Sequence, residues 1–460
     1  MDEPHLPTLF DAIARQRPRA AAIRTSTEAT SWAELAARTD SLAAALVRAG
    51  VGSTDGPTEA WECPNDRVAL YLHNHPAYLE SMVAAWKARG TAMNVNYRYR
   101  AAELTELLED AAPRAIVYHR CFTPTLSEVL GRLSDPPDLL ICVADESEHR
   151  LLPGAVDYEE LSTRGGAPPE ATQDAWSPDD RYLVYTGGTT GTPKGVLWRQ
   201  CDFAVSALGF DPEAVERAGG PAAWAAGLPT PGPVTLPAPP FMHGAAHWNA
   251  LAAWLKGGTV VLPEHPERFD ADSLLDAVEW SGASALIIVG DAFARPLLAA
   301  DEARHRGLPT LRHLLTGGAI LSPSVKAELI RRWPHVTVVD VLGSSESGRQ
   351  AVHRHRAVTA VHPHRAATAV PGPSKAAVTA EPDARTFRPD DDTVIVDDAV
   401  ARLVEPPTSH DGDSEVGWLA RGGRVPLGYL GHPDQTRATF PVLDGRRLAV
   451  TGDRARYRST

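Results

Sequence analysis

Residues 185–195 read YTGGTTGTPKG, a segment rich in glycine and threonine that holds a single lysine, Lys194. Glycines let the backbone approach an anion closely, backbone N–H groups and threonine hydroxyls donate hydrogen bonds, and the lysine adds a positive charge. In the P-loop of NTPases a Ser or Thr follows the lysine and ligates magnesium, whereas here Pro193 precedes Lys194 and Gly195 follows it. The segment therefore predicts a phosphate site of another kind. A flexible glycine-rich linker is disfavoured, because an apolar strand pattern comes directly before the segment.

Four other short segments place polar side chains beside apolar runs. They are PPFMHGAAHW (239–248), LLTGGAILSP (314–323), LGSSES (342–347) and TGD (451–453). Taken singly, a glutamate in a turn, such as Glu346, is usually just solvated, and a histidine such as His243 is more often packed or exposed than catalytic. The chemistry becomes specific only when these segments are considered together with the phosphate segment.

Short apolar runs alternate with helical patterns between about residues 66 and 345. This alternation indicates parallel sheets covered on both faces, so we predict an α/β fold whose large N-terminal domain has parallel-rich sheets flanked by helices. Ligands of such sheets bind at the carboxyl ends of the strands, which is where the glycine-rich turns fall. The predicted strands are RVALYL (67–72), RAIVYH (114–119), DLLICVAD (138–145), RYLVYT (181–186), TVVLP (259–263), SALIIVG (284–290), LRHLLTGG (311–318) and VTVVDVLG (336–343), and the predicted helices are PAYLESMVAAWKARG (76–90), DAFARPLLAADEARH (291–305) and SPSVKAELIRRW (322–333).

Two stretches lack this regularity. Residues 211–240 are rich in Ala, Gly and Pro, which predicts a surface loop, and residues 351–392 are of low complexity and rich in histidine. We interpret the second stretch as an exposed or disordered insertion rather than a metal site, because no acidic or cysteine partner is interleaved with the histidines. The predicted organisation is α/β subdomains over 1–345, a loop with the low-complexity insertion over 346–392, and a smaller β-rich subdomain over 393–460.

The composition excludes several classes of partner. The chain has 45 basic and 58 acidic residues, a net charge of −13, and no basic block, which argues against nucleic acid or an anionic membrane as a main partner. Its four cysteines are scattered, so a reducing compartment fits best. No apolar run approaches the roughly 20 residues that a membrane helix needs. We expect a cytoplasmic protein without an integral membrane segment, and a homodimer stays open.

The phosphate segment, extended to YTGGTTGTPKGV, resembles the signature loop of the adenylate-forming superfamily, which contains acyl-CoA synthetases, luciferases and peptide-synthetase adenylation domains. The four other segments resemble further motifs of that superfamily and follow in its order, from about residue 32 to the end of the chain. The resemblance implies that the large domain is an AMP-binding domain. Its implied ligands are ATP, Mg²⁺ and a small-molecule carboxylic acid, with CoA for the second half-reaction.

The resemblance also implies a set of site residues. It places phosphate contacts at Thr186, Gly187, Gly188, Thr189, Thr190, Gly191 and Lys194, adenine contacts at Gly317, Gly318, Ala319, Leu342, Gly343, Ser344 and Ser345, and ribose contacts at Asp453. It places Glu346 on magnesium together with a loop hydroxyl of Thr189 or Thr190, with Thr189 taken as the ligand, and His243 beside the substrate carboxylate. The implied catalytic residues are Thr189, Lys194, His243 and Glu346.

A narrower likeness rests on NVNYRYRAAEL (94–104), LWRQ (197–200), VGDAFARPL (289–297) and RVPLGYLGHPDQTRATF (424–440). These segments resemble actinobacterial acyl-CoA synthetases that activate fatty acids, steroid side-chain acids and related bulky carboxylates. Trp248, Gly290, Asp291 and Gly317 are the predicted acyl-pocket residues beside His243, although apolar side chains there are equally expected of plain core.

The implied reaction suits these residue types. Attack of the carboxylate on the α-phosphate of ATP yields acyl-AMP and pyrophosphate, and charge neutralisation and positioning dominate such a displacement. Magnesium prefers oxygen ligands, as Glu346 and a threonine hydroxyl supply. Two alternatives are an enzyme that passes the acyl group to a carrier protein, and a degenerate module that only binds nucleotide or acyl-adenylate.

The sequence departs from the superfamily pattern in three places. Gly187 stands where serine is more common, and Leu342 stands where an aromatic residue stacks on adenine. After TGD the superfamily continues into a C-terminal domain that supplies a catalytic lysine, whereas no lysine follows Lys375 here. We therefore expect that this domain is absent and that the chain alone binds ATP and acid but turns over slowly.

Overall fold

The computed structural model describes residues 3–54, 56, 58–187, 193–356, 392–405 and 414–457. Strands and helices alternate through most of this part of the chain. Its strands are β1 (Ala21–Arg24), β2 (Ala29–Ser31), β3 (Arg67–Tyr71), β4 (Thr91–Asn94), β5 (Ala115–His119), β6 (Leu139–Val143), β7 (Val156–Asp157), β8 (Arg181–Gly187), β9 (Pro193–Arg199), β10 (Val234–Pro237), β11 (Thr259–Val261), β12 (Ala285–Ile288), β13 (His313–Gly317), β14 (Thr337–Ser344), β15 (Gly348–His355), β16 (Thr393–Val396), β17 (Gly417–Arg421), β18 (Gly428–Tyr429), β19 (Val442–Leu443), β20 (Arg446–Arg447) and β21 (Ala449–Ala455).

The helices flank the sheets formed by these strands. They are α1 (Leu6–Gln16), α2 (Trp32–Arg48), α3 (Pro76–Lys87), α4 (Ala101–Ala111), α5 (Thr123–Leu130), α6 (Tyr158–Thr163), α7 (Glu170–Asp174), α8 (Gln200–Ser206), α9 (Pro212–Ala218), α10 (Pro221–Ala226), α11 (Gly244–Trp254), α12 (Ala271–Ser281), α13 (Gly290–Glu302), α14 (Pro323–Arg332) and α15 (Pro433–Thr439). Among the described residues, no helix has both the length and the apolar character that crossing a membrane requires.

The larger sheet has eight strands in the order β15-β14-β13-β12-β10-β11-β1-β2. The neighbours from β14 to β1 are parallel, and only the two edge strands, β15 and β2, pair antiparallel. Fully buried side chains such as Leu286 and Leu314 pack against α12, α13 and α14. The parallel-rich sheet flanked by helices that the apolar runs predicted is therefore confirmed.

A second sheet has five strands, all parallel, in the order β4-β3-β5-β6-β7. One hydrophobic core joins it to the larger sheet, because Leu70 on β3, Ile23 on β1 and Val260 on β11 belong to the same buried cluster. Residues of α1, α2, α3 and α11 fill the space between the two sheets. The predicted segments around β3, α3, β5 and β6 are confirmed to within a few residues.

A third sheet of three antiparallel strands, β18-β9-β8, contains the hairpin that leads into and out of the phosphate segment. Gly195 on β9 pairs with Tyr185 on β8, and a Cβ at Gly195 would lie only 3.0 Å from the Tyr185 ring. Leu430 N donates to Gly195 O at 2.8 Å, which continues the pairing of β18 with β9. A segment more than 200 residues later in the chain therefore forms one edge of this sheet.

The remaining strands form small antiparallel units. β16, β17 and β21 make one sheet around Val396, Ala420 and Leu448, and β19 pairs with β20. This arrangement agrees with the predicted β-rich character of residues 393–460. However, β18 from the same stretch belongs to the sheet of β8 and β9, so the stretch is not one separate unit.

The predicted surface loop over 211–240 is wrong. These residues form α9, α10 and β10, and β10 lies inside the larger sheet between β12 and β11. Leu236 is fully buried there, and Trp224 of α10 packs into the main core. The strand escaped prediction because it has only four residues and prolines surround it.

The predicted loop from residue 346 also starts later than expected. Residues Gly348–His355 form β15, which pairs antiparallel with β14. Most of the histidine-rich segment, residues 357–391, lies outside the described residues.

Candidate active site

The hairpin of β8 and β9, called the phosphate hairpin below, sets the position of Lys194. In its register Thr186 pairs with Lys194 and Gly187 pairs with Pro193, so the two strands stay paired up to the phosphate segment. The predicted phosphate residues Gly188, Thr189, Thr190 and Gly191 lie outside the described residues. Their predicted contacts therefore stay predictions, whereas both flanks of the segment are held by regular strand pairing.

Tyr429 brings Lys194 and Glu346 together. The Lys194 ammonium nitrogen lies 5.6 Å from the centroid of the Tyr429 ring, which is within cation–π range. The Tyr429 hydroxyl donates to Glu346 Oε1 at 3.1 Å. Burial, followed by the nearby Glu346 carboxylate, raises the pKa of Tyr429 above its ordinary value, so the hydroxyl keeps its proton. Sequence reasoning missed Tyr429, because a tyrosine in an apolar run resembles an ordinary core residue.

The turn that carries Glu346 connects β14 to β15. Ser347 Oγ accepts from Ser344 N at 3.1 Å, and Ser344 Oγ accepts from Glu346 N at 3.2 Å. The indole of Trp198 on β9 donates to Ser345 O at 3.0 Å. Because β9 also carries Lys194, this bond ties the Glu346 turn directly to the phosphate hairpin.

The predicted adenine residues lie at the carboxyl ends of two neighbouring parallel strands. Gly317 at the end of β13 pairs with Val341 on β14, one residue before Leu342. Gly318 follows with φ +79°, a left-handed conformation that favours glycine, and Ala319 is exposed. The structure thus places residues 317–319 and 342–346 at the ends of adjacent strands, at the edge where parallel sheets bind ligands.

Gly290 and Asp291 support the turn after β13 from the start of α13. Gly290 N donates to Thr316 Oγ1 at 3.0 Å, and a Cβ at Gly290 would lie 2.5 Å from Ile320 O. The Asp291 carboxylate accepts from Ser322 N at 2.8 Å and from Arg295 at 2.9 Å. In this structure both residues therefore hold the turn after β13, and their predicted contact with substrate stays a prediction.

His243 directly precedes α11 and is solvent-exposed. Its backbone N–H donates to Pro240 O at 3.0 Å, which closes a turn between the end of β10 and the helix. The surrounding protein and the charge of Arg98 lower the pKa of the His243 imidazole, so the ring is neutral at neutral pH. A neutral imidazole can donate a hydrogen bond to a carboxylate without adding a charge.

A buried chain of hydrogen bonds fixes the orientation of Trp248. His247 Nδ1 lies 2.7 Å from Phe241 O, and because a carbonyl can only accept, Nδ1 carries the proton. His247 Nε2 therefore accepts from the Tyr182 hydroxyl, whose oxygen accepts from Trp248 Nε1 at 2.6 Å. Burial lowers the pKa of His247 to about 4, which keeps this chain intact at neutral pH.

The segment before His243 is held by a buried asparagine as well. Asn74 Oδ1 accepts from Phe241 N at 2.6 Å, and Asn74 Nδ2 donates to Pro239 O at 3.0 Å. Asn74 follows β3, so the five-stranded sheet positions a segment that extends from the eight-stranded sheet. Sequence reasoning had no signal for Asn74 or for the pair of His247 and Tyr182, because these contacts join residues that are distant in the chain.

Asp453 lies on the exposed part of β21. Its carboxylate accepts from Thr451 Oγ1 at 3.4 Å, and the preceding Gly452 has φ +87°. Within the part of the chain that the structure describes, no hydrogen bond or ion pair joins Asp453 to Lys194, Tyr429 or Glu346. Its predicted contact with a ribose therefore stays a prediction.

The donor set fits a single magnesium ion held mainly by a ligand's own phosphates. Glu346 Oε1 accepts from Tyr429, and among the described residues Glu346 Oε2 has no hydrogen-bond or ion-pair partner. The described residues contain no group of three or more His, Cys, Asp or Glu side chains that could cage a metal by themselves. Magnesium is commonly bound through one or two carboxylates plus substrate phosphates and water, which is the arrangement these residues allow.

The chain is similar in sequence to a known family of enzymes. Residues 10–406 match the family described as AMP-binding enzyme. The chain is 37% identical to the medium-chain acyl-CoA ligase Mig of Mycobacterium avium over 98% of the chain and 78% of that protein. It is 30% identical to the 3-oxocholest-4-en-26-oate–CoA ligase of Rhodococcus rhodochrous over 95% of the chain and 73% of that protein.

A solved structure shares the fold. The anthranilate CoA ligase AuaEII, solved in complex with anthranoyl-AMP, matches with a TM-score of 0.73 over 98% of the chain and 74% of that structure. Sequence identity in this match is 17%, so the match bears on the fold alone.

Proposed function

Because the chain belongs to the AMP-binding enzyme family, we propose that it is an acid–thiol ligase that activates a hydrophobic carboxylic acid with ATP and transfers the acyl group to CoA. The single observation that carries the proposal is the meeting of Lys194 and Glu346 at Tyr429, since it assembles a cation and a carboxylate where a magnesium nucleotide would bind. Both relatives named above are CoA ligases, which favours CoA over a carrier protein as the acceptor.

In the first half-reaction the carboxylate oxygen of the acid attacks the α-phosphorus of ATP. The bond from the α-phosphorus to the bridging oxygen breaks, acyl-AMP forms, and pyrophosphate leaves. We assign Lys194 to the β- and γ-phosphates, because it pairs with Thr186 close to the end of the phosphate hairpin that leads into the phosphate segment. Fixed positive charge at the leaving group stabilises such a transition state without any movement during the reaction.

We assign Glu346 to Mg²⁺, together with Thr189 of the phosphate segment. When bound, the ion neutralises charge on the phosphates and on departing pyrophosphate. Tyr429 bonds Glu346 Oε1, so Glu346 Oε2 would be available to hold the ion. In the second half-reaction the thiol of CoA gives up its proton and its sulfur attacks the acyl carbonyl. The bond from the acyl carbon to the phosphate oxygen of AMP breaks, the thioester forms and AMP leaves. We place the reaction in the cytoplasm, where ATP and CoA are available.

We assign the acid to the region of His243 and Trp248. The neutral imidazole of His243 would donate to the carboxylate, and the Trp248 indole, held by Tyr182, would contact the apolar chain. The names of the relatives point to fatty or steroid acids as the class of substrate. Because a hydrophobic pocket separates homologous acids by about 1–3 kcal/mol per methylene, we expect a graded preference rather than absolute selection.

The test combines binding with turnover. Calorimetry should show that ATP binds in the presence of Mg²⁺, and a pyrophosphate-release assay should show release that depends on a fatty or steroid acid. Lys194→Ala should weaken ATP binding, while Lys256→Ala, the same change at an exposed lysine after α11, should leave it unaltered. Absence of nucleotide binding with magnesium present would falsify the proposal.

A further inference from the structure

Asn94 is the last residue of β4 and lies next to the phosphate hairpin. The strand is buried along its whole length, and Asn94 itself is only 5% exposed. A buried amide must satisfy its donors and its acceptor within the protein, so its partners show what it is placed to hold.

The side chain of Asn94 makes three hydrogen bonds. Its Oδ1 accepts from Tyr185 N at 2.7 Å, and its Nδ2 donates to Tyr185 O at 2.8 Å and to Met242 O at 2.6 Å. Both carbonyls can only accept, so the orientation of the amide is determined by its partners. β8 pairs with β9 along one edge and, among the described residues, has no paired strand along its other edge. At that other edge the Asn94 amide bonds the backbone N–H and C=O of Tyr185, as a neighbouring strand would.

These partners belong to two different parts of the candidate site. Tyr185 directly precedes Thr186 and the phosphate segment, and Met242 directly precedes His243. Asn94 therefore connects, through one side chain, the strand that enters the phosphate segment to the residue before the predicted carboxylate-binding histidine. Asn74 also bonds the segment before His243, but its side-chain hydrogen bonds in the described part of the chain go to Pro239 and Phe241 and not to β8.

We propose that Asn94 is a positioning residue that sets the distance between the ATP phosphates and the carboxylate of the acid. The inference rests on the proposed function. The two reactants must meet within about 3–3.5 Å for in-line attack, and a misplacement of about 1 Å can lower a rate roughly 100-fold. The link between Tyr185 and Met242 fixes this separation while contacting neither reactant, so its loss should lower the rate of adenylation more than it weakens the binding of either substrate.

The first test is a comparison of Asn94→Asp with Asn96→Asp. Asn94→Asp keeps the acceptor for Tyr185 N but loses both donors and points a carboxylate oxygen at two carbonyls. Asn96 has its Oδ1 in a local bond to Arg98 N at 3.0 Å, which an aspartate also makes, so Asn96→Asp adds the same charge without the link. Asn94→Ala buries no charge, so it replaces Asn94→Asp in the same measurement if Asn94→Asp does not fold.

We expect Asn94→Asp and Asn94→Ala to lower kcat for acid-dependent pyrophosphate release by about 10- to 100-fold, with KM for ATP and for the acid changed by no more than about threefold. Asn96→Asp should have the same kcat and the same KM values as the unaltered chain. An unchanged kcat, or a loss confined to KM, would overturn the inference. General destabilisation would instead lower the amount of active protein, which titration of the binding sites measures.

The second test needs no turnover. Amide hydrogen exchange is followed with and without the magnesium complex of α,β-methylene-ATP in peptides that contain Tyr185 and Met242. In the unaltered chain we expect nucleotide to slow exchange in both peptides, and in Asn94→Ala only in the first. Equal protection of both peptides in Asn94→Ala overturns the role of Asn94 while leaving the proposed function intact. Failure of the unaltered chain to bind the nucleotide overturns both.

Discussion

Tyr429 contacts two side chains of opposite charge, Lys194 and Glu346. The Lys194 ammonium lies against the Tyr429 ring and the Glu346 carboxylate accepts from its hydroxyl, while Lys194 and Glu346 form no ion pair in the described part of the chain. A direct ion pair would occupy the groups that a magnesium nucleotide needs. The tyrosine instead contacts both the cation and the carboxylate, which under the proposed function leaves each of them available to the magnesium nucleotide.

Tyr429→Phe should test this role. The change removes the hydrogen bond to Glu346 Oε1 and keeps the ring beside Lys194, and a hydrogen bond to a charged group contributes about 1.5–3 kcal/mol. We expect kcat/KM for Mg–ATP to fall by about tenfold, with KM for the acid unaltered. Tyr118→Phe is the matched control, because Tyr118 is a buried tyrosine of the five-stranded sheet whose hydroxyl accepts from Leu152 N. A loss expressed only in KM for the acid would contradict the assignment.

At the scale of single residues, the sequence predicted the polar groups and missed their supports. Lys194 and Glu346 stand in glycine- or serine-rich turns after apolar strands, and that local pattern is visible in the chain. Tyr429 and Asn94 bond partners 83 and 91 residues away, so their roles depend on tertiary packing that no local pattern encodes. The acyl-pocket role of Asp291 stays a prediction, and its carboxylate accepts from Arg295 on the same helix and from Ser322 N, 31 residues later in the chain.

At the scale of elements, two histidines lie where parallel strands of the five-stranded sheet end. His119 ends β5 and its Nδ1 accepts from His73 N at 3.0 Å, and His75 Nδ1 accepts from Ala77 N at 3.2 Å at the start of α3. Both bonds need a neutral nitrogen. Burial lowers the pKa of His119 to about 3 and the pKa of His75 to about 4. The positive charge of Arg38 also lowers the pKa of His75. The Asp145 carboxylate acts in the opposite direction and raises the pKa of both histidines.

These histidines predict that the fold weakens in mild acid. Their folded pKa values lie below the ordinary 6.5, so they contribute stability that is fully present above pH 6.5 and is lost as the pH falls toward 3 to 4. Each histidine should increase the fall in the free energy of unfolding by about 1 kcal/mol per pH unit in that window. Urea unfolding between pH 7.5 and 5 should show that the free energy of unfolding falls less steeply with pH in His119→Asn than in the unaltered chain. The asparagine keeps an acceptor but does not titrate. The exposed His149→Asn is the control, and an equal slope in both variants would count against the prediction.

Among the elements, strand length and position decided what the sequence could predict. β12, β13 and β14 are apolar runs before glycine-rich turns, and these were predicted. β10 has four residues beside prolines, so its composition resembles a loop although it is a central strand. β18 has two residues, and it is defined only by its pairing with β9. Short strands of this kind are specified by the partners that bury them, which composition and periodicity do not reveal.

At the scale of the whole molecule, the candidate site is assembled from distant parts of the chain. Lys194 comes from the hairpin sheet, Glu346 from a turn of the eight-stranded sheet, and Tyr429 from β18, which joins the hairpin sheet from the C-terminal part of the chain. Trp198 on β9 bonds the Glu346 turn as well. A ligand that bridges Lys194 and Glu346 would therefore add to the contacts that already join these parts of the chain.

This arrangement predicts that nucleotide stabilises the fold more strongly when magnesium is present. A ligand at 100 times its Kd raises the free energy of unfolding by about 2.7 kcal/mol. We expect ATP with Mg²⁺ to raise Tm, and the rise to shrink in EDTA, because Glu346 then meets the triphosphate without an intervening cation. Glu346→Gln should remove most of the magnesium dependence, whereas Glu328→Gln, a change on α14, should keep it. An equal rise in Tm with and without magnesium in the unaltered chain would show that Glu346 does not act through the ion.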